Sequence, residues 1–153
     1  MFTNRVLMIR PACFGYHAEA ATTNPHAKPL ENVQQQALQE FDQAVTTLQM
    51  AGIHIQVFEA RLEPACPDAV FLNNWLISLP RGEVQLFPMA VAGRRAERRK
   101  EIAQSLGQPI VDLSHWEQEG LFLEGTGSLV LDHTQKIAFA CLSPRTHPKA
   151  VER

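Results

Sequence analysis

Two short stretches carry polar side chains at the ends of apolar runs, which is where a scaffold of packed strands usually presents a site. The first is Asp68-Ala69-Val70-Phe71-Leu72-Asn73-Asn74-Trp75, in which a carboxylate precedes a hydrophobic run and two amides follow it. The second is Phe122-Leu123-Glu124-Gly125-Thr126-Gly127-Ser128, in which a single carboxylate leaves an apolar run and enters a glycine-rich turn that lets backbone approach a ligand closely. Carboxylates hold cationic nitrogens, and amides offer both a donor and an acceptor. Taken singly, each stretch is as readily read as a turn former.

Other candidate chemistry is weaker. Arg94-Arg95-Ala96-Glu97-Arg98-Arg99-Lys100 is the one strongly basic run. It reads best as a solvated helix face with Glu97 and Glu101 as internal partners, although Arg94, near the helix start, has the geometry to grip a substrate carboxylate. The run lacks interleaved aromatics and the chain has a formal charge of -2, so a nucleic-acid partner is not expected. The six histidines, at 17, 26, 54, 115, 133 and 147, show no metal-ligand spacing, and neither a metal nor a cofactor is expected. The three cysteines fit a reducing compartment: Cys66 lies between prolines, Cys141 in an apolar strand, and Cys13 in a long loop is the one loosely plausible reactive thiol.

The elements that must position these residues follow from periodicity. Val6 to Ile9 and Ile53 to Phe58 read as strands flanking a helix that starts near Asn32, carries Val33, Ala37, Leu38, Phe41, Val45 and Leu48 on one face, and ends at Gly52. Ala12 to Leu30, with Gly15, Pro25 and Pro29, reads as a long irregular loop. Ala69 to Leu72 reads as a short strand, and Trp75 to Leu79 with Glu83 to Phe87 as a hairpin. A helix follows from about Arg94 to Leu106, then strands at Pro109 to Leu113 and Leu121 to Leu123. A second hairpin spans Ser128 to Cys141, and a helix begins at Pro144. Leu76-Ile77 matches Leu129-Val130, and Val84 and Leu86 match Ile137 and Phe139, giving a diverged ββαβ repeat with a period of roughly fifty residues. The equivalent placement of the two polar stretches in the two copies favours a site over two unrelated turns. At 153 residues, 45% hydrophobic and 20% charged, the chain is the size of one packed domain, but the last copy stops mid-unit. No apolar run approaches the ~20 residues of a membrane span, and a cytoplasmic location is expected.

With these elements in place, Asp68-x-Val-Phe-x-Asn-Asn-Trp, Leu123-Glu124-Gly-Thr-Gly-Ser, Pro88-Met89, Arg94-Arg-x-Glu-Arg-Arg, the opening Arg10-Pro-x-x-Phe14-Gly and the late Ala140-Cys-Leu-Ser-Pro-Arg-Thr146 together resemble the guanidino-group-modifying superfamily. The chain is most similar to the citrulline-utilisation hydrolases, an amidinotransferase-like branch. The resemblance implies an α/β pentein fold, a propeller of ββαβ repeats around a central site, of which residues 1–153 are the N-terminal part, about half of an incomplete ring. It implies a hydrolase of the C–N bond in a guanidino or ureido amino acid, working through a Cys nucleophile and a His. By position, Asp68 and Glu124 match the family's catalytic acids, and Asn73 and Asn74 fall where dimethylarginine hydrolases carry Glu-Asp. Trp75 and Arg94 are expected to contact substrate. Amides in place of acids favour a neutral, citrulline-like ligand over a guanidinium. Cys141 and His147 do not match the family's nucleophile and general acid, so the chain alone is expected to be inactive. His17 and the segment 22–25 also depart from the family pattern. The alternative is a non-catalytic half-ring that binds a small ligand or pairs with a second copy to cover its open edge.

Overall fold

The computed structural model describes residues 3–24, 28–29 and 32–153; Pro25, His26 and Leu30, each part of a sequence-based expectation, lie outside them. The chain forms two compact units, Met1–Leu72 and Asn73–Arg153.

In the first unit, β1 (Arg5–Arg10) and β2 (His54–Glu59) pair in parallel, from Arg5 opposite His54 to Arg10 opposite Glu59. Parallel neighbours need a crossover, supplied here by the helix α2 (Val33–Met50). Phe41 is its buried residue. Beside it, Asp42 receives two hydrogen bonds of 2.8 Å from the Arg10 guanidinium, tying the end of β1 to the helix. Gly52 takes the left-handed conformation at φ +82° that releases the chain into β2. Asn32 stands at the start of α2, yet its own backbone is left-handed and its side chain makes no capping bond. The expected irregular loop is interrupted by one helical turn, α1 (Ala18–Ala21).

The second unit contains the repeat. Strands β3 (Leu76–Leu79) and β4 (Glu83–Leu86) form an antiparallel hairpin, and β5 (Ile110–Asp112) joins β4 in parallel after α3 (Lys100–Gln104). This is one complete ββαβ unit. A single turn, α4 (Gly125–Ser128), leads into the second hairpin, β6 (Leu129–Asp132) and β7 (Ile137–Ala140), and then into α5 (Pro148–Val151). Phe87, Leu121, Leu123 and Ala150 form a core cluster against which Ile77, Leu113, Trp116 and Leu129 pack.

Three expectations need correction. Ala69 to Leu72 is not a strand: it is a turn that tightens into a 3-10 helix, Leu72–Asn74, with Phe71 N–H donating to Asp68 O. Leu121 to Leu123 makes no strand beyond an isolated bridge from Leu123 to Thr146. The helix expected over 94–106 is broken. A 3-10 segment, Ala92–Glu97, is followed by extended backbone at Arg98 and Arg99 before α3 begins, because arginine side chains draw this segment onto buried acceptors, as described below.

The two hairpins occupy equivalent repeat positions in opposite environments. Val84 and Leu86 of β4 are 0% and 2% exposed, whereas Ile137 and Phe139 of β7 are 42% and 60% exposed. Burial, rather than residue type, therefore sets their contributions. Val84→Ala is expected to cost about 2 kcal/mol and Ile137→Ala less than about 1 kcal/mol, measured as denaturant midpoints of the two variants.

Candidate functional site

The second unit brings the two polar stretches together through close backbone contact. Gly125 has φ +37°, and a Cβ there would stand 2.3 Å from Asn73 O and 3.1 Å from Asn74 O. A Cβ on Gly127 would stand 2.5 Å from Asn74 Nδ2. The glycines are thus required by the approach of the amide pair, as the composition of the turn suggested. The turn is pinned further: Glu124 N–H donates to Ser128 Oγ at 2.9 Å, Ser128 Oγ donates to Arg145 O at 3.0 Å, and Thr146 Oγ1 donates to Ser128 Oγ at 2.7 Å.

Each amide has one end engaged. Asn73, on the surface, donates from Nδ2 to Thr126 Oγ1 at 2.6 Å. Asn74 is buried and accepts at Oδ1 from Arg94 Nη1 at 2.9 Å. This network fixes the orientation of both amides. It turns the Asn73 carbonyl oxygen away from its bond to Thr126 and leaves the Asn74 NH2 over Gly127.

Arg94 is not on a solvated face. It and Glu97 are each 3% exposed, and the guanidinium grips Glu97 through two bonds, Nε to Oε1 at 2.9 Å and Nη2 to Oε2 at 2.8 Å. The i,i+3 spacing within a 3-10 segment makes this fork possible. Arg98 repeats the arrangement on Glu117, at 2.7 and 3.0 Å, and also donates to Phe87 O at 3.1 Å. Arg95 Nε donates to Met89 O at 3.0 Å and lies 3.4 Å from Glu117. Glu117 in turn accepts from Met89 N at 2.7 Å. Arg94, Arg95 and Arg98 are therefore internal clamps around residues 87–90, which corrects the surface-helix reading, while the pairing of Arg94 with Glu97 and of Arg99 with Glu101 and the exposure of Lys100 follow it.

Glu124 is 0% exposed. Its Oε1 accepts from Ala90 N at 3.0 Å, and its Oε2 lies 3.4 Å from Arg145 Nη1 and 3.9 Å from Arg94 Nη1. Burial pushes its carboxyl above the ordinary value of 4.5, opposed in part by the Ala90 N–H and then by Arg145 and Arg94. Arg94 is already neutralised by Glu97, so it only weakly favours the Glu124 charge. Trp75, expected to touch substrate, is 1% exposed and sits in the core, and its indole N–H meets no acceptor among the described residues. An open cavity of about 440 Å³ in this unit is lined by Arg95, Asp112, Ser114, His115, Glu117 and Gln118, and none of the expected site residues borders it.

Asp68 belongs to the first unit, where its Oδ2 lies 2.7 Å from His17 Nδ1, both side chains being largely buried. Sequence reasoning noticed His17 only as a departure from a pattern. The pairing joins side chains 51 residues apart and has no local signal. Glu117 and Arg145 were likewise not singled out in the sequence, whereas Glu97 was expected as an internal partner of the basic run. Among the described residues no cluster of three or more His, Cys, Asp or Glu side chains is placed to hold a metal ion, and no helix is long and apolar enough to cross a membrane.

Residues 10–153 match the family model described as N,N dimethylarginine dimethylhydrolase, eukaryotic. Among solved structures, the N-terminal domain of ArgZ, an arginine dihydrolase of the ornithine-ammonia cycle in Cyanobacteria, in a substrate-bound mutant form, is 18% identical with a TM-score of 0.74, covering 95% of this chain and 51% of that one. A dimethylarginine dimethylaminohydrolase mutant carrying an adduct with S-methyl-L-thiocitrulline is 18% identical with a TM-score of 0.71, covering 99% and 55%. The apo structure of ArgZ is 19% identical with a TM-score of 0.74, covering 95% and 21%. The fold is thus a mixed α/β fold like that of these N-terminal regions, and the chain spans about half or less of the structures it resembles. No curated protein matches.

Two measurements check the electrostatic description. Glu97→Gln, which leaves the buried Arg94 without its counter-charge, is expected to cost about 3 kcal/mol, whereas Glu101→Gln changes stability by less than about 1 kcal/mol in the same denaturant series. Because the folded-state pKa of Glu124 is raised, its stabilising contribution is full below the unfolded value near 4.5 and is lost as pH climbs through the folded value. Glu124→Gln, which removes this titration, should therefore gain stability relative to the parent as pH rises above 4.5, and a difference independent of pH would contradict the assignment.

Proposed function

Since the chain belongs to the N,N dimethylarginine dimethylhydrolase family, we propose that it is the N-terminal, substrate-holding part of a hydrolase that cleaves a C–N bond of a ureido amino acid such as citrulline. The fold envisaged is a pentein ring of ββαβ units, of which this chain supplies about half. The nucleophilic Cys and the proton-transferring His belong to the rest of the ring, since neither Cys141 nor His147 stands where the family carries them. The Cys thiolate attacks the ureido carbon and expels ammonia, water then displaces the sulfur from that carbon, and the resulting carbamic acid loses carbon dioxide to release the parent amine.

The observation that carries the substrate class is the opposite engagement of the two amides. Asn73 donates its NH2 to Thr126 and presents an oxygen acceptor; Asn74 accepts from Arg94 and presents an NH2 donor. A ureido group carries N–H donors and a carbonyl acceptor, so it satisfies both. A guanidinium carries donors alone and would leave the Asn74 NH2 opposed by another donor. Arg94 acts by holding Asn74 rather than by touching substrate, and Glu124 and Asp68 are each assigned the role of one of the family's acids.

A second reading, a self-associating half-ring without catalysis, draws support from the hairpin β6–β7, where Val130 and Leu142 are exposed along with Ile137 and Phe139. Light scattering separates the two readings: a defined symmetric dimer of the 153-residue chain favours the second. For the leading reading, the complete protein should release ammonia from citrulline faster than from arginine. Asn74→Asp should lower that preference at least tenfold, and faster release from arginine by the unaltered protein would overturn it.

A further inference from the structure

Two of the three thiols in the chain meet in the first unit, and the proposed hydrolysis uses neither. Cys13, half-buried, follows β1; Cys66, 2% exposed, follows β2. The Cys13 Sγ accepts from the backbone N–H of Cys66 at 3.2 Å and donates to Arg61 O at 3.2 Å. With an N–Cα bond added, the Cys13 sulfur stands no more than about 4.7 Å from the Cys66 Cα. That close approach puts the Cys13 sulfur within reach of the Cys66 side chain once that side chain turns from Pro64 O, which it now contacts at 3.4 Å. The third thiol, Cys141, is exposed and belongs to the other unit.

We propose that Cys13 and Cys66 form a peroxide-sensitive dithiol that closes to an intramolecular disulfide. Cys13, the more accessible sulfur, attacks one oxygen of a hydroperoxide as thiolate. The O–O bond breaks, hydroxide or alkoxide leaves, and the sulfur is oxidised to a sulfenic acid. The Cys66 sulfur then attacks the Cys13 sulfur. The S–O bond breaks, and the departing hydroxide takes the Cys66 proton as water. With hydrogen peroxide, two thiols and one peroxide give one disulfide and two waters. The bond joins the loop that leads to His17 with the segment that leads to Asp68, the two side chains that meet at 2.7 Å, so oxidation fixes the backbone on either side of that pair. Two parallel strands already align these segments, with Ala60 N–H donating to Arg10 O at 2.9 Å just before them. The closure therefore requires a side-chain rotation rather than a rearrangement of strands.

The test uses Cys141→Ser, which removes the exposed third thiol, treated with a few equivalents of hydrogen peroxide under native conditions. The expected product has lost two hydrogens, yields one peptide pair linking Cys13 to Cys66, and reverts with dithiothreitol. Its melting temperature should rise by roughly 10 °C on oxidation, as closing a loop of this length implies. With Cys66→Ala added, Cys13 should stop at a sulfenic acid that dimedone traps. Gain of oxygen at Cys13 while Cys66 stays free to alkylate, a cross-link between chains, or a fall in melting temperature would each overturn the proposal.

Discussion

The second unit depends on the buried fork between Arg94 and Glu97. A guanidinium and a carboxylate, each 3% exposed, are held out of water by two bonds of 2.9 and 2.8 Å. Ions so removed from solvent carry a desolvation penalty that only close geometry and further hydrogen bonds offset. The remaining guanidinium nitrogen supplies that extra bond by donating to Asn74. The same nitrogen lies 3.9 Å from Glu124, so one cation links its partner acid, a buried amide and a second buried acid. Replacing any member changes the charge balance of the others.

Backbone follows from this electrostatic constraint. The segment Ala92–Glu97 winds as a 3-10 helix, which brings Arg94 and Glu97 onto one edge, and then extends through Arg98 and Arg99 so that Arg98 can reach Glu117. A regular helix over the same residues would satisfy local propensity, yet the chain leaves it where Arg98 reaches Glu117. Glycine solves the matching problem on the other side. With Asn74 held inward by Arg94, the turn after Glu124 passes where a Cβ would stand 2.3 Å from the Asn73 backbone oxygen, and only Gly125 permits this.

Much of the frame was legible in sequence. The strands around α2, both hairpins and the repeat equivalence of Leu76 with Leu129 follow from periodicity and turn chemistry, which are local signals. The joining of the Asn73-Asn74 and Glu124-Gly125 stretches was also readable, through their equivalent repeat positions. Sequence failed where distant charges override local preference. The Arg94 run has the pattern of a solvated helix, but its burial depends on Glu117 and Phe87, which lie elsewhere in the chain. Ala69 to Leu72 has strand composition, yet it turns because Asp68 and Phe71 bond to each other rather than to a neighbouring strand. The contact of His17 with Asp68 left no trace in either local segment.

In the proposed function Asn74 presents a donor to the ligand because Arg94 occupies its oxygen. The most direct measurement follows the side-chain NH2 resonances of Asn74 in an amide-labelled sample while citrulline or arginine is added. Citrulline should shift both Asn74 NH2 signals and leave the Arg94 guanidinium resonances in place, with arginine producing a much smaller change. Larger shifts with arginine, or displacement of the Arg94 signals by either ligand while Asn74 stays unmoved, would contradict it.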